Sequence, residues 1–316
     1  MLVRARSALR RASFSSCSSR CCTKVFARNA TTRDASRDAF LTNPPVAKRC
    51  LDVVEEELGW DGWSLVLEPS AGSGAFLHQL PAAVPSIGLD KWPQAPDIEQ
   101  ADFFDYAPTE EQRRGRILTV GNPPFGRQGA LAARFFNHTA QWGAPGSAIA
   151  FILPRVFRTV YTQNRLNLDW HLEHDCAELE IAGDDFEPRC RAKCCFQIWV
   201  RRSAPRSKVQ TQGVAHPDWT FLPARAASAE RAHFRMRSVG AKAGAIADPG
   251  GVTSPNSWLW IEANCDRIAP EELRRRFAEL DFSPLWEMYT TALVHLPQYE
   301  LVRIYSERHG SGRRLA

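Results

Sequence analysis

Ser64-Leu65-Val66-Leu67-Glu68-Pro69-Ser70-Ala71-Gly72-Ser73-Gly74 is the stretch of this sequence that decides its fold. Its first residues form an apolar run typical of a buried strand, and residues 70–74 form a glycine-rich turn directly after that strand. Glycines let the backbone approach a ligand closely, and residues 75–80 are predicted to continue as a helix whose first amides are free. The stretch therefore predicts a strand–turn–helix unit that fits a nucleotide-like cofactor. No Gly-Lys-Ser/Thr follows, so it is not a P-loop.

Further strands and helices alternate along the chain. Apolar runs at residues 86–89, 117–120 and 148–153 predict strands, and residues 194–200 predict another. The intervals 46–58 and 130–142 have the apolar spacing of amphipathic helices. This alternation predicts an α/β protein with a Rossmann-like, doubly wound, mainly parallel sheet, in which ligands bind at the carboxyl ends of the strands.

The pattern weakens after about residue 202. Residues 201–229 are rich in Pro, Ser, Ala and Arg and are interpreted as a linker, whereas residues 270–280 predict a helix with acids early and bases late. We expect a catalytic domain over residues 34–202 and a C-terminal α+β extension over residues 203–316 that helps to select the target. Four aromatic residues of the extension are predicted to lie in its core: Trp258, Trp260, Phe282 and Trp286.

Two acidic residues follow predicted strands. Asp90 lies 18 positions after Gly72 and ends the second strand, where a carboxylate can accept hydrogen bonds from ribose hydroxyls. A helix N-cap is the alternative role for Asp90. Asp102 could bind an adenine amine or be an ordinary surface acid.

The strongest signal is Asn122-Pro123-Pro124-Phe125, which follows the strand at residues 117–120. Two consecutive prolines fix two φ angles and remove two backbone donors, which makes a stiff ledge. Oxygens of Asn122 and Pro123 can accept the hydrogens of an amine, and Phe125 can stack on a planar base. Acceptors aimed at those hydrogens stabilise the positive charge that develops on a nitrogen attacking a methyl group.

In order and spacing, these motifs resemble those of the S-adenosylmethionine-dependent N6-adenine nucleic-acid methyltransferases of class I, over roughly residues 40–200. Phe40-Leu41-Thr42-Asn43-Pro44-Pro45 resembles the amino-terminal motif of that family. The resemblance implies a catalytic ledge of Asn122, Pro123, Pro124 and Phe125. It also implies S-adenosyl-L-methionine as cofactor, with these contacts: Phe40, Thr42, Glu68, Ser70, Gly72, Asp90, Asp102 and Asn122.

The expected activity is methylation of the N6 amine of adenine in DNA or RNA. Related methyltransferases modify protein glutamine with an Asn-Pro-Pro ledge that usually ends in Tyr, so Phe125 favours a base. Two alternatives stay open: a protein-glutamine methyltransferase, and a non-catalytic methyltransferase-fold module that binds a partner.

The amino terminus has the composition of an organellar transit peptide. Residues 1–33 hold seven Arg and one Lys, many Ser and no acidic residue, and they lack the apolar run of a secretory signal. We expect mitochondrial import, with a plastid, or a basic tail on a nuclear or cytoplasmic protein, as alternatives. No stretch is apolar enough to span a membrane. Removing eight positive charges from a net charge of +5 leaves about −3, so nucleic-acid binding would need a local positive surface.

Basic residues with interleaved aromatics suit a single strand or a flipped nucleotide. The predicted contacts are Arg127, Arg134, Arg155, Arg158, Arg165, Phe157 and Tyr161, with Arg235, Arg237 and Lys242 as a second group. Solvated helix faces are the alternative interpretation. One group of residues could suggest a zinc site: Cys190, Cys194 and Cys195 with His171 and His174 upstream. Their spacing matches no usual zinc motif, and we expect no metal.

Overall fold

The computed structural model describes residues 40–211, 213–224, 226–251, 254–288 and 294–310. The proposed leader, residues 1–33, lies outside them. The first half of the described chain contains strands β1 to β6 and helices α1 to α4. In chain order these are β1 Leu41–Thr42, α1 Pro44–Leu58, β2 Trp63–Glu68, β3 Ser86–Asp90, β4 Glu99–Gln100, α2 Glu110–Arg114, β5 Arg116–Gly121, α3 Ala130–Thr139, β6 Ala148–Pro154 and α4 Val160–Gln163.

The second half contains the remaining strands and helices. In chain order these are β7 Trp170–Gly183, β8 Phe186–Glu187, β9 Cys190–Arg201, β10 Trp219–Leu222, β11 Phe234–Arg237, β12 Ile246–Ala247, β13 Trp258–Ala263, α5 Pro270–Ala278, α6 Ser283–Glu287 and α7 Gln298–His309. None of the helices in the described residues has the length and apolarity that a membrane span needs.

A seven-stranded sheet dominates the molecule, in the order β4-β3-β2-β5-β6-β9-β7. β4, β3, β2, β5 and β6 are parallel, and β9 is antiparallel to both of its neighbours. The strand order reverses between β2 and β5, as it does at the centre of doubly wound folds. This topology confirms the predicted Rossmann-like, doubly wound, mainly parallel sheet.

Both faces of this sheet are buried. Consecutive residues Leu65, Val66 and Leu67 of β2 are all in the core, as expected for a strand covered on both sides. α1 packs against the face that contains Val66, and α3 lies on the opposite face, to which it contributes Phe135. Phe103, Phe135 and Trp142 cover the opposite face, which contains Leu65 and Leu67.

One predicted helix is absent: residues 75–80 form turns and a short 3-10 helix, Leu77–Gln79. Gly74 has a positive φ at the start of this segment, and Pro81 holds Leu80 in the extended region at its end. The remaining residues are too few to overcome the cost of nucleating an isolated helix. The amides after the glycine turn are therefore not those of an α-helix.

The chain after β9 forms a four-stranded antiparallel sheet, in the order β10-β13-β11-β12, with helices α5 to α7. The expected α+β character of the extension is confirmed. The interpretation of residues 201–229 as a linker is wrong in part, because β10 lies within them and pairs with β13. The apolar face of β10 consists of one pair of alternating residues, and a pattern this short does not identify a strand from the sequence.

Candidate active site

The carboxyl ends of β2, β3 and β5 meet at the point where the strand order reverses. These ends provide Glu68, Asp90 and Asn122, which directly follows Gly121 of β5. Parallel strands place their carboxyl ends at one edge of the sheet, and ligands of doubly wound folds bind at this position. The fold therefore brings together three of the residues that the sequence predicts to be functional.

Asp90 holds the glycine turn after β2. Its Oδ2 accepts a hydrogen bond from the amide of Gly72 at 2.7 Å, and its Oδ1 accepts one from the amide of Trp92 at 2.7 Å. Gly72 has φ +55°, which places its amide in this position at little steric cost. Each carboxylate oxygen keeps further acceptor capacity, so Asp90 can hold the turn and still accept a hydroxyl.

Glu68 is only 2% exposed, and its side chain turns toward the segment after the glycines. Its Oε2 accepts a hydrogen bond from the amide of Leu77 at 2.8 Å. Burial raises the pKa of Glu68 to about 8, against the opposing effect of hydrogen bonds from the Leu77 and Phe76 amides. The carboxyl group is therefore mostly protonated at neutral pH and caps the turn that replaces the predicted helix.

The ledge begins at Asn122. Its Nδ2 donates a hydrogen bond to the carbonyl of Phe40 at 3.1 Å. Its Oδ1 is buried and has no hydrogen-bond partner among the described residues. A buried amide oxygen normally has a partner, because leaving it unpaired costs about 1–3 kcal/mol. This oxygen is thus an acceptor available to a ligand.

Phe125 occupies a different environment from the one that its predicted role needs. Its ring is 7% exposed and packs in the core that contains α1 and α3. Its carbonyl accepts hydrogen bonds from the amides of Leu131 and Ala132, which fixes the ledge to the start of α3. In this conformation the ring anchors the ledge and does not present an open face to a base.

β1 lies over the glycine turn. It pairs with β8, and the Cδ2 of Leu41 is 2.5 Å from the position that a Cβ on Gly72 would occupy. A cavity of about 20 Å³, the space of about one water molecule, remains beneath β1. It is lined by Phe40, Leu41, Thr42, Glu68, Ser70, Ala71, Ser73, Ala75 and Asn122.

Five of the eight predicted cofactor contacts line this cavity, and Gly72 and Asp90 are bonded to each other beside it. Asp102 is apart from them: it accepts hydrogen bonds from Lys91 and the Phe104 amide. The hydrogen bond from Lys91 lowers the pKa of Asp102. The donor and acceptor set fits S-adenosylmethionine, and Leu41 is one of the residues that keep the cavity small. Sequence reasoning missed Leu41, since an apolar residue inside a polar motif carries no distinctive signal.

The predicted basic and aromatic surface divides into separate roles. Arg158 forms a bidentate ion pair with Asp175 at 2.7–2.8 Å, which raises the pKa of Arg158. Arg155 donates to the carbonyl of Cys194, and Phe157 is fully buried. Burial rules out Phe157 as a stacking contact, whereas Arg155 and Arg158 are half-buried and their role as nucleic-acid contacts stays a prediction. Arg134 lies over the half-buried ring of Phe104 at 4.5 Å, and Arg165 lies over the exposed ring of Tyr161 at 5.4 Å.

The other predictions concern the cysteines and the aromatic residues of the extension. Cys194 and Cys195 are buried in β9, as structural thiols are. Within the described ranges, no three His, Cys, Asp or Glu residues are grouped so that they could hold a metal ion.

Trp260 and Phe282 lie in the core, as predicted, whereas Trp286 is 40% exposed and its predicted burial is wrong.

No family model and no curated protein matches the chain. Solved structures are similar at low identity. A candidate class I S-adenosylmethionine-dependent methyltransferase of Listeria monocytogenes has 11% identity and a TM-score of 0.40 over 53% of this chain and 62% of its own. The 23S rRNA methyltransferase ErmE has 18% identity and a TM-score of 0.35 over 53% and 71%. A candidate methyltransferase of Escherichia coli has 14% identity and a TM-score of 0.34 over 51% and 88%.

The chain thus spans less than two thirds of the length of the Listeria protein. All three TM-scores are below 0.5. The fold assignment accordingly rests on the strand order and directions given above.

Proposed function

We propose that this protein is an S-adenosylmethionine-dependent methyltransferase that methylates the N6 amine of adenine in DNA or RNA. The observation that carries the proposal is the unpartnered, buried Oδ1 of Asn122 at the carboxyl edge of the sheet. Residues 34–202 form the catalytic domain in this proposal, and residues 203–316 the extension that helps to select the target.

The residues of the ledge supply the chemistry on the acceptor side. Asn122 Oδ1 accepts one N–H hydrogen of the amine, and the carbonyl of Pro123 accepts the other. These hydrogen bonds orient the nitrogen lone pair and strengthen as the nitrogen becomes positive, so that no general base is required. When bound, S-adenosylmethionine would supply the methyl group: the N–C bond forms as the S–C bond breaks, S-adenosylhomocysteine leaves, and the methylated nitrogen loses its extra proton to water. Asp90 accepts the ribose hydroxyls, and Gly72 lets the backbone come close to the cofactor.

The first test is methylation. The protein is incubated with labelled S-adenosylmethionine and with DNA, ribosomal RNA, tRNA or protein fractions, and the modified residue is identified by mass spectrometry. We expect N6-methyladenine in a nucleic-acid fraction. Asn122→Ala should lower the rate by about a hundredfold or more, since it removes a transition-state acceptor. Asn164→Ala is the matched control, because among the described residues that side-chain amide binds the backbone of Val209.

The second test is cofactor binding. Asp90→Asn should weaken S-adenosylmethionine binding by about 1–3 kcal/mol, because it weakens a charge-assisted hydrogen bond to ribose. Isothermal calorimetry measures this effect. Asp97→Asn, in an exposed carboxylate that pairs with His78, is the control and should bind normally. Equal affinity of Asp90→Asn and the unchanged protein would refute the ribose contact.

Two observations favour other functions. The buried ring of Phe125 removes the stacking argument for a base, so the ledge would serve a protein glutamine equally well. The small cavity under Leu41 suits a non-catalytic module. Label on glutamine in the protein fraction would establish the first alternative in place of the proposal. Absence of cofactor binding in the calorimetry would refute the proposal and favour the second alternative.

A further inference from the structure

The two faces of the four-stranded sheet differ in character. Side chains alternate between the faces along each strand. Phe234, Met236 and Ile261 point to one face, where they share a core with α5 and α7. That face is the hydrophobic interior of the extension.

The opposite face carries two arginines and two tryptophans. Arg235 is the register partner of Trp260, and Arg237 is the register partner of Trp258, so the four side chains emerge on the same side. The guanidinium carbon of Arg235 is 4.2 Å from the ring centroid of Trp258 and 5.9 Å from that of Trp260. The guanidinium carbon of Arg237 is 5.2 Å from the Trp258 centroid. We call these four residues the arginine–tryptophan face; Trp260 and Arg235 form its buried part, and Arg237 and Trp258 its partly exposed part.

Both cations of this face lack a counter-ion. Neither Arg235 nor Arg237 forms an ion pair with any residue that the structure describes, although nearby arginines do: Arg231 with Glu262 at 2.7 Å and Arg274 with Asp248 at 2.6 Å. Arg237 donates one hydrogen bond, to the carbonyl of Val239. Among the residues that the structure describes, none compensates the two positive charges that lie against the Trp258 indole.

Arg235 is the more unusual of the two. It is 9% exposed, and its Nε and Nη1 have no hydrogen-bond partner among the described residues. Removing an unpaired charge from water costs more free energy than cation–π contacts return. Packing alone therefore leaves this charge uncompensated. An anion that binds at the arginine–tryptophan face would compensate it.

We infer that the arginine–tryptophan face binds single-stranded nucleic acid, with a backbone phosphate at the arginines and a base at Trp258. Two guanidiniums beside one indole match a phosphate next to a base, and Trp258 is partly exposed. An acidic peptide would use the charges but not the indole. The net charge of about −3 outside the leader also requires a local site of this kind. The inference rests on the proposed function in one respect: the strand that binds at the arginine–tryptophan face is the substrate of the methyltransferase.

The test measures binding without cofactor. Fluorescence anisotropy follows dye-labelled single-stranded RNA and DNA, each titrated with the full chain. Arg237→Gln and Trp258→Ala should each weaken binding by about tenfold, as expected for a charged contact and a stacked base. Arg237→Gln should also lower the salt slope by about 0.7, the value for one phosphate of a single strand. Arg274→Gln, which makes the same charge change on α5, is the matched control and should bind normally.

Arg235→Met separates binding from folding. If the charge serves a ligand, this variant should lose binding by about tenfold or more while its melting temperature stays equal or rises, because an unpaired buried charge is removed. A lower melting temperature with unchanged RNA and DNA binding would overturn the inference. Equal displacement of the strand by polyglutamate would also overturn it, in favour of an acidic protein partner. Intact binding without methylation would refute the proposed function alone.

Discussion

At the scale of single residues, the site depends on how three polar side chains are held. Asp90 is fixed by two backbone amides, and Asn122 is fixed on one side by the Phe40 carbonyl. Glu68 is the exception, since its carboxyl group serves the protein's own turn. The same edge of the sheet thus combines groups open to a ligand with one that maintains the shape of the site.

Glu68 makes stability depend on pH. Its pKa is about 8 in the folded protein and about 4.5 without burial, so the folded state retains a proton that the unfolded state loses. The stabilising contribution is fully present below pH 4.5 and is lost as the pH rises through about 8. The free energy of unfolding should fall, relative to that of Glu68→Gln, by up to about 1.4 kcal/mol per pH unit in this window.

Urea denaturation from pH 5 to 9 measures this difference. Glu68→Gln keeps an oxygen that can accept from the Leu77 amide but cannot ionise, so it should become the more stable protein at high pH. Glu111→Gln, in an exposed residue of α2, is the control. A stability difference between Glu68→Gln and the unchanged protein that stays constant with pH would contradict the raised pKa.

At the scale of elements, the glycine turn and β1 are fitted to each other. Gly72 has φ +55°, and Leu41 of β1 occupies the space where its side chain would be. Any side chain at position 72 would therefore have an unfavourable backbone conformation and would also collide with Leu41. The close contact explains why the cavity beneath β1 is small.

Gly72→Ala should destabilise the protein by more than Gly59→Ala does. Gly59 has a similar φ of +65°, with ψ 174°, but no atom lies within 4 Å of the new Cβ, so Gly59→Ala costs only the backbone penalty of about 1–3 kcal/mol. Leu41→Ala should recover the additional cost at Gly72, because it removes the colliding atom. Denaturant unfolding of Gly72→Ala, Leu41→Ala and the double variant gives a double-mutant cycle, which measures the coupling energy between the two positions. Equal losses at Gly59 and Gly72 would show that Leu41 does not fill the turn.

At the scale of the whole molecule, charge is divided between parts of the chain. The first 33 residues carry eight positive charges, and the remainder is slightly acidic. Positive surface available to nucleic acid is then confined to local features such as the arginine–tryptophan face. The basic leader has a separate role in our proposal, which is import into mitochondria.

A fluorescent reporter fused after residues 1–33 should enter mitochondria, because import recognises basic, Ser-rich segments without acids. Confocal microscopy with organelle markers measures the localisation. Replacing the seven arginines of the leader by glutamine is the control and should leave the reporter diffuse. Plastid or diffuse fluorescence of the native leader would reject the proposal.

Local pattern alone predicted much of this protein. The apolar runs of β2, β3, β5 and β6 are longer than those of surface segments and therefore indicate buried strands. Their alternation with helices predicts a parallel sheet. The positions of Glu68, Asp90 and Asn122 at strand ends then follow, since parallel strands end at one edge. The α1 helix was equally clear, from its apolar spacing and its closing Gly59.

The tertiary structure decided what depends on contacts between distant segments. The helix predicted at residues 75–80 gave way to a turn capped by Glu68, the ring of Phe125 became part of the core, and Leu41 closed the cavity over Gly72. Arg235 and Trp258 met through strand pairing across 23 residues of sequence. Sequence periodicity reports which face of an element is apolar, but only packing determines which residues that face meets.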